Sequence, residues 1–386
     1  MSEPLKIYLI AGEPSGDLLA SRLMRALKKQ TNGAVAFYGV GGETMRAEGL
    51  TSLFPISDLA VMGFLEVLPS IPKILRRIRQ TLDDIEKVKP DIVVTVDSWS
   101  FSIKIHQGLK KRHAAMPHIH YVAPQVWAWK AKRAQQIKKW VDHLLMLLPF
   151  EKKYFDPYGM PSTYVGHPVI EGGADKGNGT LFREKHGIAA DAFVMTVLPG
   201  SRKNEVQYLL PVFEQVTALM KRSHPNLRVV IPTVETVSDF VREMTASWPV
   251  PVTIVMGERE RYDAFAASSV ALAASGTVSL ELSMAGVPHV IAYHVNRLSA
   301  WLARRLLKIK YVNLINILAD EEIIPELLQE SCNPNQIVCK LEELINVSGA
   351  LEMEKAHRIL SKLGQNDALL PSEKAGLCIR DLIKTR

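Results

Sequence analysis

Residues 270–281 run VALAASGTVSLE: an apolar strand, the turn Ser275-Gly276-Thr277, and a helix that carries Glu281 near its start. Small hydroxyl and glycine residues between a strand and a helix suit anionic or polyhydroxy ligands. The first-turn N–H groups have no partner within the helix, and its dipole favours negative charge there. Glu281 narrows the choice. Beside a diphosphate a carboxylate would only add repulsion, but one accepting from two ribose hydroxyls would fix a nucleoside. The expected ligand is therefore a nucleoside diphosphate on Ser275, Gly276, Thr277 and Glu281. A second motif, Pro199-Gly200-Ser201-Arg202, follows another apolar strand. The planar fork of Arg202 suits a diphosphate. A departing nucleoside diphosphate needs its developing charge neutralised, which an arginine and helix N-termini can do without a metal. Consistent with that, the chain has no D-x-D pair.

The first half offers different chemistry. Ala11-Gly12-Glu13-Pro14-Ser15-Gly16-Asp17 follows the first strand and opens the first helix. Gly12 and Gly16 let backbone approach a ligand, and Ser15 or Asp17 can cap the helix. Glu13 and Asp17 would repel phosphate, so sugar hydroxyls are the expected partners. Asp97 directly follows the run DIVVTV, at the carboxyl end of a buried strand. A carboxylate there can take a proton from a hydroxyl nucleophile; its competing role is to cap the next helix. Gly39, Gly41 and Gly42 suit a tight turn. His118 and His120 share a strand face, but no third ligand lies nearby in sequence, so no metal site is expected. The rings of 124–130 (PQVWAWK) could line a sugar or acyl pocket or simply pack.

Apolar strands at 6–10, 34–40, 91–96, 117–122 and 143–148 alternate with helices at 17–29, 70–88, 103–112 and 131–141. A second series begins at 192–198 and continues through strands at 228–231, 252–255, 270–274 and 289–293. Continuous apolar strands separated by helices imply parallel sheets covered on both faces. The expected fold is α/β, two Rossmann-like domains facing across a cleft, with C-terminal helices. Residues 1–168 form the first domain, 169–345 the second, and 346–386 helices that pack back on the first. In such sheets ligands bind beyond the carboxyl ends of the strands.

At 386 residues, 47% hydrophobic and 23% charged, the chain is globular, long enough for two domains, and neither disordered nor fibrous. Cys332, Cys339 and Cys378 cannot all pair, which fits a reducing compartment. No signal peptide and no transmembrane run is apparent. A net charge of +7 implies an anionic partner. Lys73, Arg76, Arg77 and Arg79 interleave with Ile71, Ile74, Leu75 and Ile78. Arg304, Arg305, Lys308 and Lys310 interleave with Trp301, Leu302, Leu306, Leu307 and Ile309. Basic and aliphatic residues mixed at helical spacing suit an anionic phospholipid surface, and aromatics at 7% are too few for stacking along a nucleic acid, so none is expected as a partner. The expected surface or acyl contacts are Met62, Phe64, Leu65, Val67, Leu68, Ile74, Leu75, Arg76 and Arg77. The alternative is a core-facing helix with a solvated basic face.

Taken together, AGEPSGD at 11–17, LAVMGFLEVL at 59–68, HYVAPQVWAWKAKR at 120–133, LPFEKKYF at 148–155, YVGHPV at 164–169, LPGSR at 198–202, LAASGTVSLEL at 272–282 and YVNLINILAD at 311–320 resemble the lipid-A-disaccharide synthase family over almost the whole chain and in order. Pro14 departs from the alanine common in its loop. The resemblance implies an inverting, metal-independent transfer of 2,3-diacylglucosamine from UDP-2,3-diacylglucosamine to 2,3-diacylglucosamine 1-phosphate. The products are a β-1,6 disaccharide and UDP, and no cofactor takes part. It also implies a cytoplasmic enzyme peripheral on the inner membrane, with a homodimer among its expected states. Asp97 matches the family's essential aspartate, and Arg202, Glu281 and Asn316 its UDP-site positions. The competing readings are another UDP-sugar enzyme of this fold, such as a UDP-N-acetylglucosamine 2-epimerase, and a non-catalytic basic protein of the membrane surface.

Overall fold

The computed structural model describes residues 3–59, 64–127, 133–274, 276–294, 309–365 and 367–385, with backbone only for 64–70. Two compact units divide the chain: Met1–Pro168 with Asn366–Arg386, and Val169–Gln365.

The first unit holds β1 (Leu5–Ala11), β2 (Val35–Val40), β3 (Ile92–Val96), β4 (His118–Tyr121), β5 (His143–Met146) and β6 (Ser162–Tyr164). All pair in parallel, in the order β2-β1-β3-β4-β5-β6. β3 is buried along its whole length because helices cover both faces. On one face Leu19, Leu23, Met24 and Leu27 of helix Pro14–Gln30 pack with Ala375 and Ile379 of helix Pro371–Lys384. On the other, helices Phe64–Val88 and Trp99–Lys111 bring Leu82, Ile85, Phe101, Ile105 and Leu109 against Tyr8, Ile10 and Val93.

The second unit holds β7 (Val194–Leu198), β8 (Arg228–Thr233), β9 (Val252–Met256), β10 (Val270–Ala273), β11 (His289–Tyr293) and β12 (Glu326–Leu328). These too are all parallel, ordered β12-β11-β10-β7-β8-β9. The core beneath them includes Leu209, Phe213 and Val216 of helix Lys203–Ser223 and Ile337 and Leu341 of helix Pro334–Glu343. β12 was not among the expected strands. Its residues favour helices, and its state is imposed by pairing with β11 and by the Glu326 carboxylate, which accepts from the N–H groups of Val312 and Asn313.

The expected block 346–386 divides. Helix Gly349–Leu360 buries Met353, Ala356 and Leu360 within the second unit, and helix Pro371–Lys384 belongs to the first. Gly364, at φ 103°, breaks the helical run between them and lets the chain depart. The boundary therefore falls near 366 rather than 346.

Asp17 has a different role from the expected one. It is buried, and its carboxylate accepts from Gly42 N (2.7 Å), Thr44 N (2.9 Å), Thr44 Oγ1 (2.7 Å) and Met45 N (3.2 Å). It thereby caps the neighbouring helix Glu43–Ala47, whose first-turn N–H groups have no helical partner. A Cβ on Gly42 would sit 2.7 Å from Asp17 Oδ2, so that position has room only for glycine. The cap residue of helix Pro14–Gln30 is Glu13, which makes no side-chain cap bond. Asp17→Asn is expected to cost about 1.5–3 kcal/mol of stability, the range for hydrogen bonds to a charged group. Thermal unfolding should show the loss while UDP affinity stays at the wild-type value. Unchanged stability would return Asp17 to the ligand-binding residues.

Candidate active site

In each unit the strand order reverses at one place, between β1 and β3 in the first and between β7 and β10 in the second. Loops leaving the two strands at such a point diverge to opposite faces and leave a crevice at the carboxyl edge. The loops that carry Gly12, Glu13, Asp97, Ser201, Arg202, Gly276 and Thr277 leave strands at these two edges.

At the first edge, the loop after β1 meets the turn after β3. Asp97 and Ser98 have φ of 54° and 44°, two successive non-glycine residues in the left-handed region. Such residues cost on the order of 1–3 kcal/mol each and persist where the surroundings over-determine them. Asp97 N donates to Tyr121 O at 2.9 Å, and Ser102 Oγ to Asp97 O at 2.8 Å. The cap of helix Trp99–Lys111 is Ser98, which makes no side-chain cap bond, so the Asp97 carboxylate is released from that role. It is half-buried and accepts from Ser15 Oγ at 3.2 Å. Gly12 and Gly16 explain the approach. A Cβ at Gly12 would lie 2.5 Å from Ser98 Oγ, and one at Gly16 would lie 3.1 Å from Val96 O. The glycines make room for the Asp97 turn. Ser15 is exposed and Glu13 half-buried beside it.

At the second edge, Ala273 pairs with Leu198, and Ala274 N donates to Leu198 O at 2.8 Å. The loop 199–202 and the turn after β10 therefore emerge side by side. Ser201 and Arg202 are exposed. Arg202 Nη1 meets Glu205 Oε1 at 3.1 Å, with 58% of its side chain still open. Glu205 Oε1 also accepts from the Tyr293 hydroxyl at 3.4 Å, anchoring the guanidinium from beneath. Gly276 and Thr277 are exposed, and the Thr277 side chain makes no cap bond to helix Val278–Met284. Ser275 lies outside the described residues. The Glu281 carboxylate is mostly covered and accepts from Arg261 Nη2 at 3.0 Å, which fixes its direction. Arg261 comes from helix Glu258–Ala267, a partner 20 residues away that the sequence did not reveal.

Asn316 departs from the expectation. It is fully buried, donates to Ile324 O (2.7 Å) and Glu326 Oε1 (2.8 Å), and accepts from Ile323 N and Ile324 N at 2.8 and 2.9 Å. Both donors and both lone pairs of its amide are engaged inside the fold. It shapes the loop before β12.

The basic segment is also reassigned in part. Arg77 donates through Nε to Asp58 Oδ2 at 2.9 Å and lies 4.6 Å over the Phe54 ring, with Lys73 on the other oxygen of Asp58. The Lys73 bond is the main reason the Asp58 carboxyl sits below its ordinary range. Ile74 and Ile78 pack against the core of the first unit. Arg77 and Ile74 are therefore structural. Ile71 and Leu75 stay open, 40% and 59% exposed, with Arg76 and Arg79 beside them. Met62 lies outside the described residues, as do the side chains of Phe64, Leu65, Val67 and Leu68, and residues 301–308 of the second basic segment. Among the described residues no helix is long and apolar enough to cross a membrane.

His118 and His120 belong to a buried polar row between β3 and β4. Thr95 Oγ1 lies 2.8 Å from His106 Nε2 and 2.7 Å from His120 Nδ1, and His106 Nδ1 lies 2.9 Å from His118 Nδ1. Asp142, held by Lys110, accepts from His118 N at 3.0 Å. Among the described residues no group of three acidic, histidine or cysteine side chains is disposed to hold a metal ion.

Two Rossmann-like units, each with a parallel six-stranded sheet that reverses at one point, have the GT-B fold. A crystal structure of UDP-GlcNAc 2-epimerase from Neisseria meningitidis bound to UDP-GlcNAc is similar in fold, at TM-score 0.66 and 13% identity, covering 99% of this chain and 100% of that one. The sequence is more specific. Residues 7–375 match the model of the lipid-A-disaccharide synthetase family. Lipid-A-disaccharide synthase of Paramagnetospirillum magneticum is 52% identical over 98% of this chain and 97% of its own length. That of Rhodospirillum centenum is 48% identical over 100% and 96%. The chain belongs to the lipid-A-disaccharide synthetase family.

Burial of the histidines sets a pH dependence. Burial holds His120 at about 3, His167 and His289 at about 4, and His106 well below its ordinary value. Each is neutral in the fold, while the unfolded chain takes protons once pH falls below about 6.5. Their contribution to stability is thus present above pH 6.5 and lost as pH falls toward their folded values. Burial lowers His143 as well, while Glu151, raised to about 7 by burial, and Glu352, also raised by burial, act oppositely, two carboxyls against five histidines. Each tenfold change in a group's proton affinity is worth roughly 1.4 kcal/mol, so the histidines outweigh the carboxyls. The thermal midpoint should fall between pH 7.5 and pH 5. A midpoint that holds or rises at pH 5 would contradict this balance.

Proposed function

We propose that the chain transfers 2,3-diacylglucosamine from UDP-2,3-diacylglucosamine to the 6-hydroxyl of 2,3-diacylglucosamine 1-phosphate. The hydroxyl oxygen bonds to the anomeric carbon from the side opposite UDP, and the bond from that carbon to the diphosphate breaks. The hydroxyl proton passes to Asp97, and UDP departs as product, so no cofactor is consumed. The observation that carries this reading is the Asp97 carboxylate. It stands at a reversal point on a strained turn, free of the helix cap and bonded to one hydroxyl at 3.2 Å. Membership of the lipid-A-disaccharide synthetase family supports lipid-sugar substrates.

UDP lies over Gly276 and Thr277, its ribose hydroxyls donating to Glu281, which Arg261 already orients. The diphosphate meets Arg202, whose exposed guanidinium keeps donors beyond the one directed at Glu205. Asp97→Asn keeps the shape and loses the basicity, so turnover should fall by about 10²–10⁴ with UDP affinity intact. Arg202→Ala and Glu281→Ala should instead weaken UDP binding by about 1.5–3 kcal/mol each. Steady-state rates with both lipid sugars and UDP titration separate the two effects. An Asp97→Asn enzyme that keeps most of its turnover refutes the base, and unchanged UDP affinity in both other variants refutes the nucleotide site.

Each acyl CH₂ drawn into water costs about 0.8 kcal/mol, so an enzyme of diacylated sugars must reach the bilayer interface. The open side of helix Phe64–Val88 supports that contact, with Ile71 and Leu75 as apolar groups and Arg76 and Arg79 for anionic head groups, on the cytoplasmic side of the inner membrane. Ile71→Ser with Leu75→Ser should reduce sedimentation with anionic phospholipid vesicles at near-normal thermal stability. Undiminished sedimentation would move the contact elsewhere.

A further inference from the structure

His120 touches both flanks of the strained Asp97–Ser98 turn. Before the turn, Thr95 Oγ1 lies 2.7 Å from His120 Nδ1. After it, the Trp99 ring stands edge-on to the imidazole, centroids 4.9 Å apart at 66°. The next residue on β4, Tyr121, accepts the Asp97 N–H. One imidazole thus bridges the residue two before Asp97 and the residue two after it. The ring is itself held. Thr95 Oγ1 meets two imidazoles, His106 and His120, and can donate its proton to Ile119 O at 3.3 Å while accepting from both rings. His106 and His118 meet Nδ1 to Nδ1, so one of those two rings donates and the other accepts. Beyond the rings, Asp142 accepts from the backbone N–H of His118 and from the Lys110 ammonium. The ring's hold on the turn rests on Nδ1 and the Trp99 contact.

We infer that His120 is a positioning residue for the transfer reaction: through Thr95 and Trp99 it clamps the Asp97–Ser98 turn in the left-handed conformation that presents the carboxylate. This rests on the reading of Asp97 as the base. Two adjacent residues with positive φ relax toward ordinary backbone unless both flanks are fixed. His120 supplies the side-chain fixation on the inner side, and its bond to Thr95 with the edge contact to Trp99 keeps the ring from turning.

The test compares His120→Ala in two backgrounds, wild type and Ser98→Gly. Glycine adopts positive φ without the side-chain penalty, so a turn containing it needs less external hold. In the wild-type background His120→Ala should lower kcat roughly 10–100-fold, leaving UDP affinity on the second unit and KM for the UDP-sugar within about twofold. In the Ser98→Gly background the same substitution should cost less than about threefold. A general loss of fold would lower kcat equally in both, and that result overturns the proposal, as does a His120→Ala enzyme within twofold of wild type. Should His120→Ala not fold, His120→Asn is measured in the same pair. It keeps a polar atom near Nδ1 for Thr95 and lacks the ring, and it should show a smaller loss with the same dependence on Ser98. Asp97→Asn run alongside keeps the two readings apart. Full turnover there refutes the base, whereas an intact base with no coupling between His120 and Ser98 refutes the clamp alone.

Discussion

The parallel pairing of β1 with β3, and of β7 with β10, is the constraint from which the rest follows. A parallel neighbour cannot be reached by a tight turn; the chain must cross over the sheet through a helix. When successive crossovers go to opposite sides of a starting strand, two loops part at its carboxyl edge and nothing of the sheet's own connections covers the gap. Both units are built around such a gap. In the first, small residues let the loop after β1 close on the turn after β3, so that a hydroxyl and a carboxylate meet. In the second, an arginine and a hydroxyl turn emerge from neighbouring strands in fixed register.

Residues of the same chemical type fall into two populations here, and the count of partners separates them. Asp17 and Asp97 are both acidic and both follow a buried strand. Asp17 receives four donors from one neighbouring helix start and is structural. Among the described residues Asp97 receives one, from Ser15 at 3.2 Å. Arg77 and Arg202 divide the same way. The first is wedged between a carboxylate and an aromatic ring, and the second is tethered at one nitrogen and open at the rest. A charge kept under-coordinated inside an ordered frame is available to a ligand; one saturated by the frame belongs to it.

That division explains what the sequence could reveal. Strand and helix alternation was legible because the periodicities are local: IVVTV can only be a strand covered on both faces, and the turns after β7 and β10 announce themselves by glycine and hydroxyl residues. The placement of Asp97 at a strand end followed from the same pattern. The roles of Asp17, Asn316 and Arg77 did not, because their partners lie 25 to 28, 7 to 10, and 19 residues away and become neighbours only in three dimensions. Arg261 was missed for the same reason, since no spacing rule joins it to Glu281 across 20 residues. β12 was hidden because tertiary pairing overrides the helical preference of Glu326-Leu327-Leu328.

The excursion of helix Pro371–Lys384 back to the first unit has a consequence for biosynthesis. Ala375 and Ile379 belong to the same buried cluster as Leu23, Met24 and Leu27, yet they are translated after the whole of the second unit. A ribosome delivers domains from the N-terminus onward, and most fold as they emerge. Here the unit made first is completed last. Until residues 371–384 arrive, the part of that cluster which Ala375 and Ile379 cover stays open through the synthesis of some two hundred further residues. The second unit, contiguous in sequence, is complete before the first is.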